Sequence, residues 1–237
     1  MFKRCTMSGC YTDMSNEDYH RSPAISKSGM DRLAISPEHY QAYLLERREE
    51  TPAMKTGTAV HMAVLEPELF KKTYVHFYDA EICESIGGAK PRATTKYKEW
   101  KAKFDAEFAG RILLDSTEYR EITDIANSVL SRPVPLKILS AAGAFEHSFF
   151  WDDPETGVAC RCRPDFLRND GYIIDLKTTE DASPRGFEKS AEKFRYWVQA
   201  AFYKQGVEAV LNIDVKGFVF IAVEKKPPYA VACYTAD

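Results

Sequence analysis

The sequence predicts an α/β fold from its order of segments: helical stretches come first, a strand meander begins near Phe145, and a long helical stretch then precedes two closing strands. With 237 residues, the chain can bury one sizeable core, so a single domain is expected over residues 1–237. Hydrophobic content of 45% and charged content of 28% are ordinary for a globular protein. The longest apolar run, Phe218 to Val223, is too short to span a bilayer. Met1-Phe2-Lys3-Arg4 is not followed by the apolar stretch of a secretory signal. A cytoplasmic location with no membrane partner is the expectation.

The elements follow from local signals. Ser26 opens a short helix, and Ser36 with Pro37 at the first helical position opens a second that carries Tyr40, Tyr43 and Leu44 on its apolar face. Thr51-Pro52 starts a third, through His61 and Leu65, which Pro67 stops. Thr73 to Tyr78 reads as a strand, and Glu84 to Lys90, with Gly87-Gly88, as a loop. A basic helix runs from about Thr94 to Phe108, and Ser116 caps another that ends near Arg132, where Pro133 and Pro135 interrupt the chain. Strands are expected at Phe145 to Asp152, Val158 to Leu167 and Tyr172 to Lys177, a bent helix at Ser183 to Val210, and closing strands at Gly217 to Val223 and Ala230 to Tyr234.

The net charge of −3 excludes a protein coated in positive charge, but its distribution is uneven. Lys90, Arg92, Lys96, Lys98, Lys101 and Lys103 share one segment with a single acid, Glu99. That segment suits a solvated helix face or a phosphate-tracking patch. The six cysteines have no repeating spacing, which argues for reduced thiols rather than a disulfide framework. Cys160 and Cys162 alternate along a strand as small core residues.

The chemistry concentrates at Arg163-Pro164-Asp165 and Ile173-Ile174-Asp175-Leu176-Lys177. A three-residue loop, Asn169-Asp170-Gly171 with the glycine left-handed, pairs Arg168 with Tyr172, and hence Asp165 with Asp175. Such opposite residues have Cβ atoms about 5 Å apart, so both carboxylates can reach one cation. A two-residue loop would put them on opposite faces. In the favoured register one face carries Arg161, Arg163, Asp165, Asp175 and Lys177. The acids repel unless something positive lies between them: Mg²⁺ or Mn²⁺, or the adjacent Arg and Lys as ion-pair partners.

Pro164-Asp165 with Asp175-Leu176-Lys177 resembles the motif that names the PD-(D/E)XK nuclease superfamily. Gly57-Thr58-Ala59-Val60-His61 is similar to the histidine-bearing helix of its RecB-like and RecE-like branches, and Gln199 with Tyr203 to their Gln-x-x-x-Tyr motif. The stretches from Tyr19-His20 to Met30 and from Ser36 to Tyr40, with Glu146 and the Trp151 to Arg163 segment, resemble RecE-type exonucleases, the exonuclease VIII group of prophages. The resemblance covers about residues 19–223.

It implies a restriction-endonuclease-like core (about 143–235) with a central mixed β-sheet flanked by helices, and an N-terminal helical extension (about 19–72). It further implies a metal held by His61, Asp165, Asp175 and the Leu176 carbonyl. Lys177 would orient or deprotonate the attacking water. Arg161, Arg163, Gln199 and Tyr203 would hold the scissile phosphate, or Gln199 and Tyr203, on one helical face, would order the lysine; Glu146 would support a metal-bound water or pair with an arginine. The implied activity is Mg²⁺-dependent 5′-to-3′ exonuclease action at double-stranded DNA ends, leaving 3′ tails for a single-strand annealing protein or recombinase. A homo-oligomeric ring, with a tetramer favoured, belongs to the same expectation. With only Cys233 beyond the hairpin no iron–sulfur cluster is expected, and without a phosphate-binding Gly-Lys-Ser/Thr loop no ATP. The alternatives are a structure-specific or restriction-type endonuclease and a catalytically silent DNA-binding subunit.

Overall fold

The computed structural model describes residues 8–45 and 51–236. In chain order the elements are β1 (Gly9–Tyr11), α1 (Asn16–Arg21), α2 (Lys27–Leu33), α3 (Pro37–Leu45), α4 (Pro52–Leu65), α5 (Pro67–Thr73), β2 (Tyr74–Phe77), α6 (Asp79–Ile86), a 3₁₀ turn (Pro91–Ala93), α7 (Thr95–Glu107), β3 (Ile112–Asp115) and α8 (Ser116–Leu130). They continue as α9 (Pro133–Leu139), β4 (Gly143–Phe145), β5 (Ser148–Asp152), β6 (Ala159–Cys162), β7 (Phe166–Arg168), β8 (Tyr172–Thr179), α10 (Pro184–Phe194), α11 (Tyr196–Leu211), β9 (Gly217–Glu224) and β10 (Val231–Ala236). The described residues fall into two compact units, one from Met1–Glu50 with Val129–Asp237, the other Thr51–Ser128.

In the first unit a five-stranded sheet runs β10-β9-β8-β7-β4. It is mixed: β8 and β9 are parallel, and the other neighbours antiparallel. A parallel pair needs a crossover, which α10 and α11 supply. Ile173, Phe218, Phe220 and Ala222 meet Phe187, Tyr196, Ala200 and Phe202 in the core on that side. β1, β5 and β6 form a second, antiparallel sheet. Cys160 and Cys162 are both buried in the same core, and burial pushes the Cys160 thiol up to about 12.

Several expected elements are shorter or interrupted. The strand expected over Phe145 to Asp152 breaks at Glu146-His147, where Glu146 has φ 52° and the chain passes from one sheet to the other. The strand expected over Val158 to Leu167 breaks at Arg163-Pro164-Asp165, because Pro164 has no N–H for a ladder. The long helix divides at Arg195, which is left-handed with φ 52°. Pro67 and Pro133 sit at first-turn positions where a missing N–H costs nothing, so they begin α5 and α9 as well as end what precedes them. β1, β3 and α1 carry too few residues to show a period.

In the second unit β2 and β3 form a parallel pair. The expected loop at Glu84 to Lys90 is helical through Ile86 and turns only at Gly87 and Gly88. The cap of α8 is Asp115, which accepts from the N–H groups of Thr117 and Glu118, whereas Ser116 bonds the His76 ring. α7 begins at its Thr94 cap, and its apolar side, Trp100 and Phe104, packs on Phe77 and Tyr78. Arg92 and the Tyr97 hydroxyl both donate to Asp79. The bond from Arg92 outweighs burial and holds the Asp79 carboxyl below its ordinary range. A depressed folded pKa stabilises fully above the unfolded value, and that stability is lost as pH falls through the folded one. Thermal unfolding across acid pH should therefore show Asp79→Asn less stable than the native chain at neutral pH, by about 1 kcal/mol because Arg92 is exposed. The two should converge below the carboxylate range; a constant gap would refute the assignment.

Candidate active site

The hairpin register decides whether the acids meet. Phe166 pairs with Ile174 and Leu167 with Ile173, across a turn in which Gly171 has φ 91° and its N–H donates to the Arg168 carbonyl at 3.0 Å. The three-residue loop therefore holds, and one step further along the same register Asp165 stands across from Asp175. Asp165 lies just before β7, where its Oδ2 accepts from the Leu176 N–H at 2.7 Å. The side chain thus takes the place of a ladder carbonyl. The Glu146 N–H donates to the Asp165 carbonyl at 3.1 Å, and carboxylate oxygens of these two residues approach within 4.8 Å. Glu146, whose backbone is left-handed, thus stands beside Asp165.

Asp175 is 2% exposed and points to the α11 side of β8. Its Oδ1 accepts from the Gln199 amide at 2.5 Å, and its Oδ2 lies 2.5 Å from the Lys177 ammonium. Lys177 is two residues on, hence on the same face, and stands 5.0 Å from the centre of the Tyr196 ring and 6.0 Å from that of Phe220. Burial works to lower the Lys177 pKa, but Asp175 and then Asp165 overcome it and leave it raised. Tyr203, one helical turn beyond Gln199, is half-buried in the same core, and burial raises its hydroxyl pKa. His61 lies on α4 of the second unit, on a helix as expected.

Two expectations change. The chain switches sheets between Cys162 and Phe166, so Arg161 and Arg163 do not share the hairpin face with the acids. Arg161 is buried in β6 and donates to the carbonyls of Ser22 and His20. Arg163 donates to Ser148 Oγ at 2.8 Å, the Met14 carbonyl at 3.0 Å and Asn16. Both guanidinium groups stand over the Tyr19 ring, at 5.0 and 4.3 Å. They clamp the N-terminal segment to the sheet, which leaves them poorly placed for the phosphate expected of them. Gln199, in turn, donates to Asp175, the partner of Lys177, which fits the ordering part expected of it. Sequence reasoning missed Tyr196, although its i, i+3 relation to Gln199 puts it on the same face.

The donor chemistry suits a hard divalent cation: carboxylates of Glu146 and Asp165 converge, with Asp175 on the adjoining strand, and clustered acids repel unless a positive charge joins them. Residues 26–237 match the family described as a PDDEXK-like domain of unknown function, DUF3799. The chain belongs to that family. Its fold is that of the PD-(D/E)XK nuclease superfamily, with the mixed sheet and helical flanks expected. The PDDEXK-like chain also resembles the crystal structure of a "Putative exonuclease" from Eubacterium rectale, with 16% identity and a TM-score of 0.63 over 96% of this chain and 79% of that one. A likeness to the crystal structure of SSO0001, with 16% identity and a TM-score of 0.30 over 76% of this chain and 75% of that one, is too remote to bear on the fold. No curated protein matches the sequence. No described helix is long and apolar enough to cross a membrane.

Proposed function

We propose that the protein is an ATP-independent, Mg²⁺-dependent exonuclease that degrades one strand of linear duplex DNA in the 5′-to-3′ direction and leaves 3′ single-stranded tails. The observation that carries this reading is the buried Asp175–Lys177 pair beside Asp165 and Glu146, a set matched to hydrolysis of a phosphodiester. Glu146, Asp165, Asp175, the Leu176 carbonyl and, by family likeness, His61 would hold the divalent ion; Mn²⁺ could replace Mg²⁺. When bound, the ion supplies Lewis-acid stabilisation of the phosphate and a more acidic water.

The chain's own residues do the rest. Lys177 orients the attacking water and offsets the negative charge that develops on the phosphate. Gln199 keeps the Asp175 carboxylate turned toward Lys177, and the aromatic floor of Tyr196 and Phe220 limits where the ammonium can go. Tyr203 is the remaining candidate for contact with the phosphate. The RecE-like motifs support the polarity, the cytoplasmic ring-shaped homo-oligomer, tetrameric by the same likeness, and the annealing protein or recombinase that takes the tail. Linear duplexes labelled separately at each 5′ and 3′ end, incubated with Mg²⁺, test the reading. Early loss of 5′ label with 3′ label retained is expected. Early loss of 3′ label would overturn the polarity, and linearisation of a closed circle would replace the exonuclease with an endonuclease.

A further inference from the structure

The α10–α11 break carries two exposed aromatic residues, Phe194 and Trp197, on either side in sequence of Tyr196, whose ring underlies Lys177. Phe194 is 49% exposed and Trp197 52%, while Tyr196 between them is 9% exposed. The Phe194 and Tyr196 rings stack with centroids 5.9 Å apart and planes 20° from parallel, and Tyr196 in turn lies under the Lys177 ammonium. Trp197 makes no ring contact among the described residues. Exposed rings scattered singly need no explanation. These two lie within four residues, and the Phe194 ring is continuous, through Tyr196, with the Lys177 site.

The break is also held firmly. Asp31 on α2 pairs with Lys27 at 2.7 Å and with Arg195 at 3.2 Å, and the Lys27 ammonium donates to the Phe194 carbonyl. Arg195 is left-handed, and its N–H closes α10 onto Glu192 and Ala191. The rings therefore stand on a backbone fixed in advance, which lowers the cost of ordering them against a ligand. Lys193 lies 5.2 Å from the Phe194 ring and is exposed, so a cation borders the aromatic surface. Aromatic faces bordered by positive charge bind single-stranded nucleic acid, because every base has a π-face and every linkage a negative charge.

We propose that Phe194 and Trp197 form a base-stacking platform for an unpaired DNA strand end, leading that strand to Lys177. The proposal rests on the nuclease reading for its purpose, but its test does not depend on cleavage. Full-length protein in EDTA is titrated with fluorescently labelled oligo(dT) and with an abasic strand carrying the same number of phosphates, and anisotropy is read. The native chain should prefer oligo(dT). Trp197→Ala and Phe194→Ala should each weaken that binding roughly 5- to 150-fold, the range for loss of one base–aromatic stack, and leave abasic binding unchanged. Trp197→Phe should retain most of the preference.

Both side chains are half-exposed, so unaltered thermal unfolding of the variants is expected and serves as the folding control. Equal affinity of the native chain for the two strands, or unchanged oligo(dT) binding in both alanine variants, would overturn the platform. So would an oligomer that dissociates in Trp197→Ala while oligo(dT) binding persists, since the rings would then serve contact between copies of the chain. Failure of the nuclease reading shows separately, as a native chain that leaves linear duplex intact with Mg²⁺ and Mn²⁺.

Discussion

Asp175→Ala is expected to abolish metal-dependent cleavage and to destabilise the protein by about 3 kcal/mol or more, because it strands the Lys177 ammonium in a buried place. The Asp175 side chain is 3% exposed and that of Lys177 20%, so water cannot fully replace the lost partner. The Gln199 amide loses its acceptor as well. Asp175→Asn keeps an acceptor for Gln199 but loses the charge facing Lys177, and its stability should fall between. The decisive variant is Asp175→Ala combined with Lys177→Met, which removes both charges. It should recover much of the stability while remaining inactive, since replacing a buried pair by apolar groups is often neutral. Urea midpoints and a linear-duplex assay check this. A double variant no more stable than Asp175→Ala would show that the ion pair is not the source of the loss.

Much of this site was legible because its geometry is local. Asn169-Asp170-Gly171 fixes the loop length, the loop length fixes the register, and the register sets Asp165 across from Asp175. The spacing of Gln199 and Tyr203 likewise fixes a shared helical face. The arginines were misplaced for a long-range reason. Cys162 ends one sheet and Phe166 begins another, and alternation along a strand says nothing of a change of sheet at a proline. Apart from Ser148, what the guanidinium groups of Arg161 and Arg163 bond to lies in the segment from Met14 to Ser22, far away in sequence. Glu146 shows the same limit: its left-handed backbone reflects the join between β4 and β5, and glutamate carries no local preference for that conformation.

Gly206 illustrates a packing constraint that a helical period conceals and that bears on the site. An isolated glycine inside a helix costs about 1 kcal/mol relative to alanine, so on propensity alone Gly206→Ala should stabilise α11. The structure reverses the sign. A Cβ at this position would lie 2.4 Å from Cζ3 of Trp151 and 2.5 Å from its Cη2. Trp151 is 3% exposed and packs on Phe202 with centroids 4.9 Å apart, leaving the indole little room to withdraw. Overpacking of this kind costs about 3 kcal/mol, which outweighs the propensity gain and leaves a net loss of about 2 kcal/mol. A fall in Tm of roughly 4 to 8 °C is expected for a chain of this size. Relief requires α11 to move away from β5, and α11 carries Gln199 and Tyr196, so cleavage should weaken even though no catalytic side chain is changed. Trp151→Leu in the Gly206→Ala background makes room for the methyl group and should cost less than the two single changes added together. Strict additivity would place the strain elsewhere, and a Gly206→Ala protein with raised Tm would show that the close approach of α11 to β5 is absent.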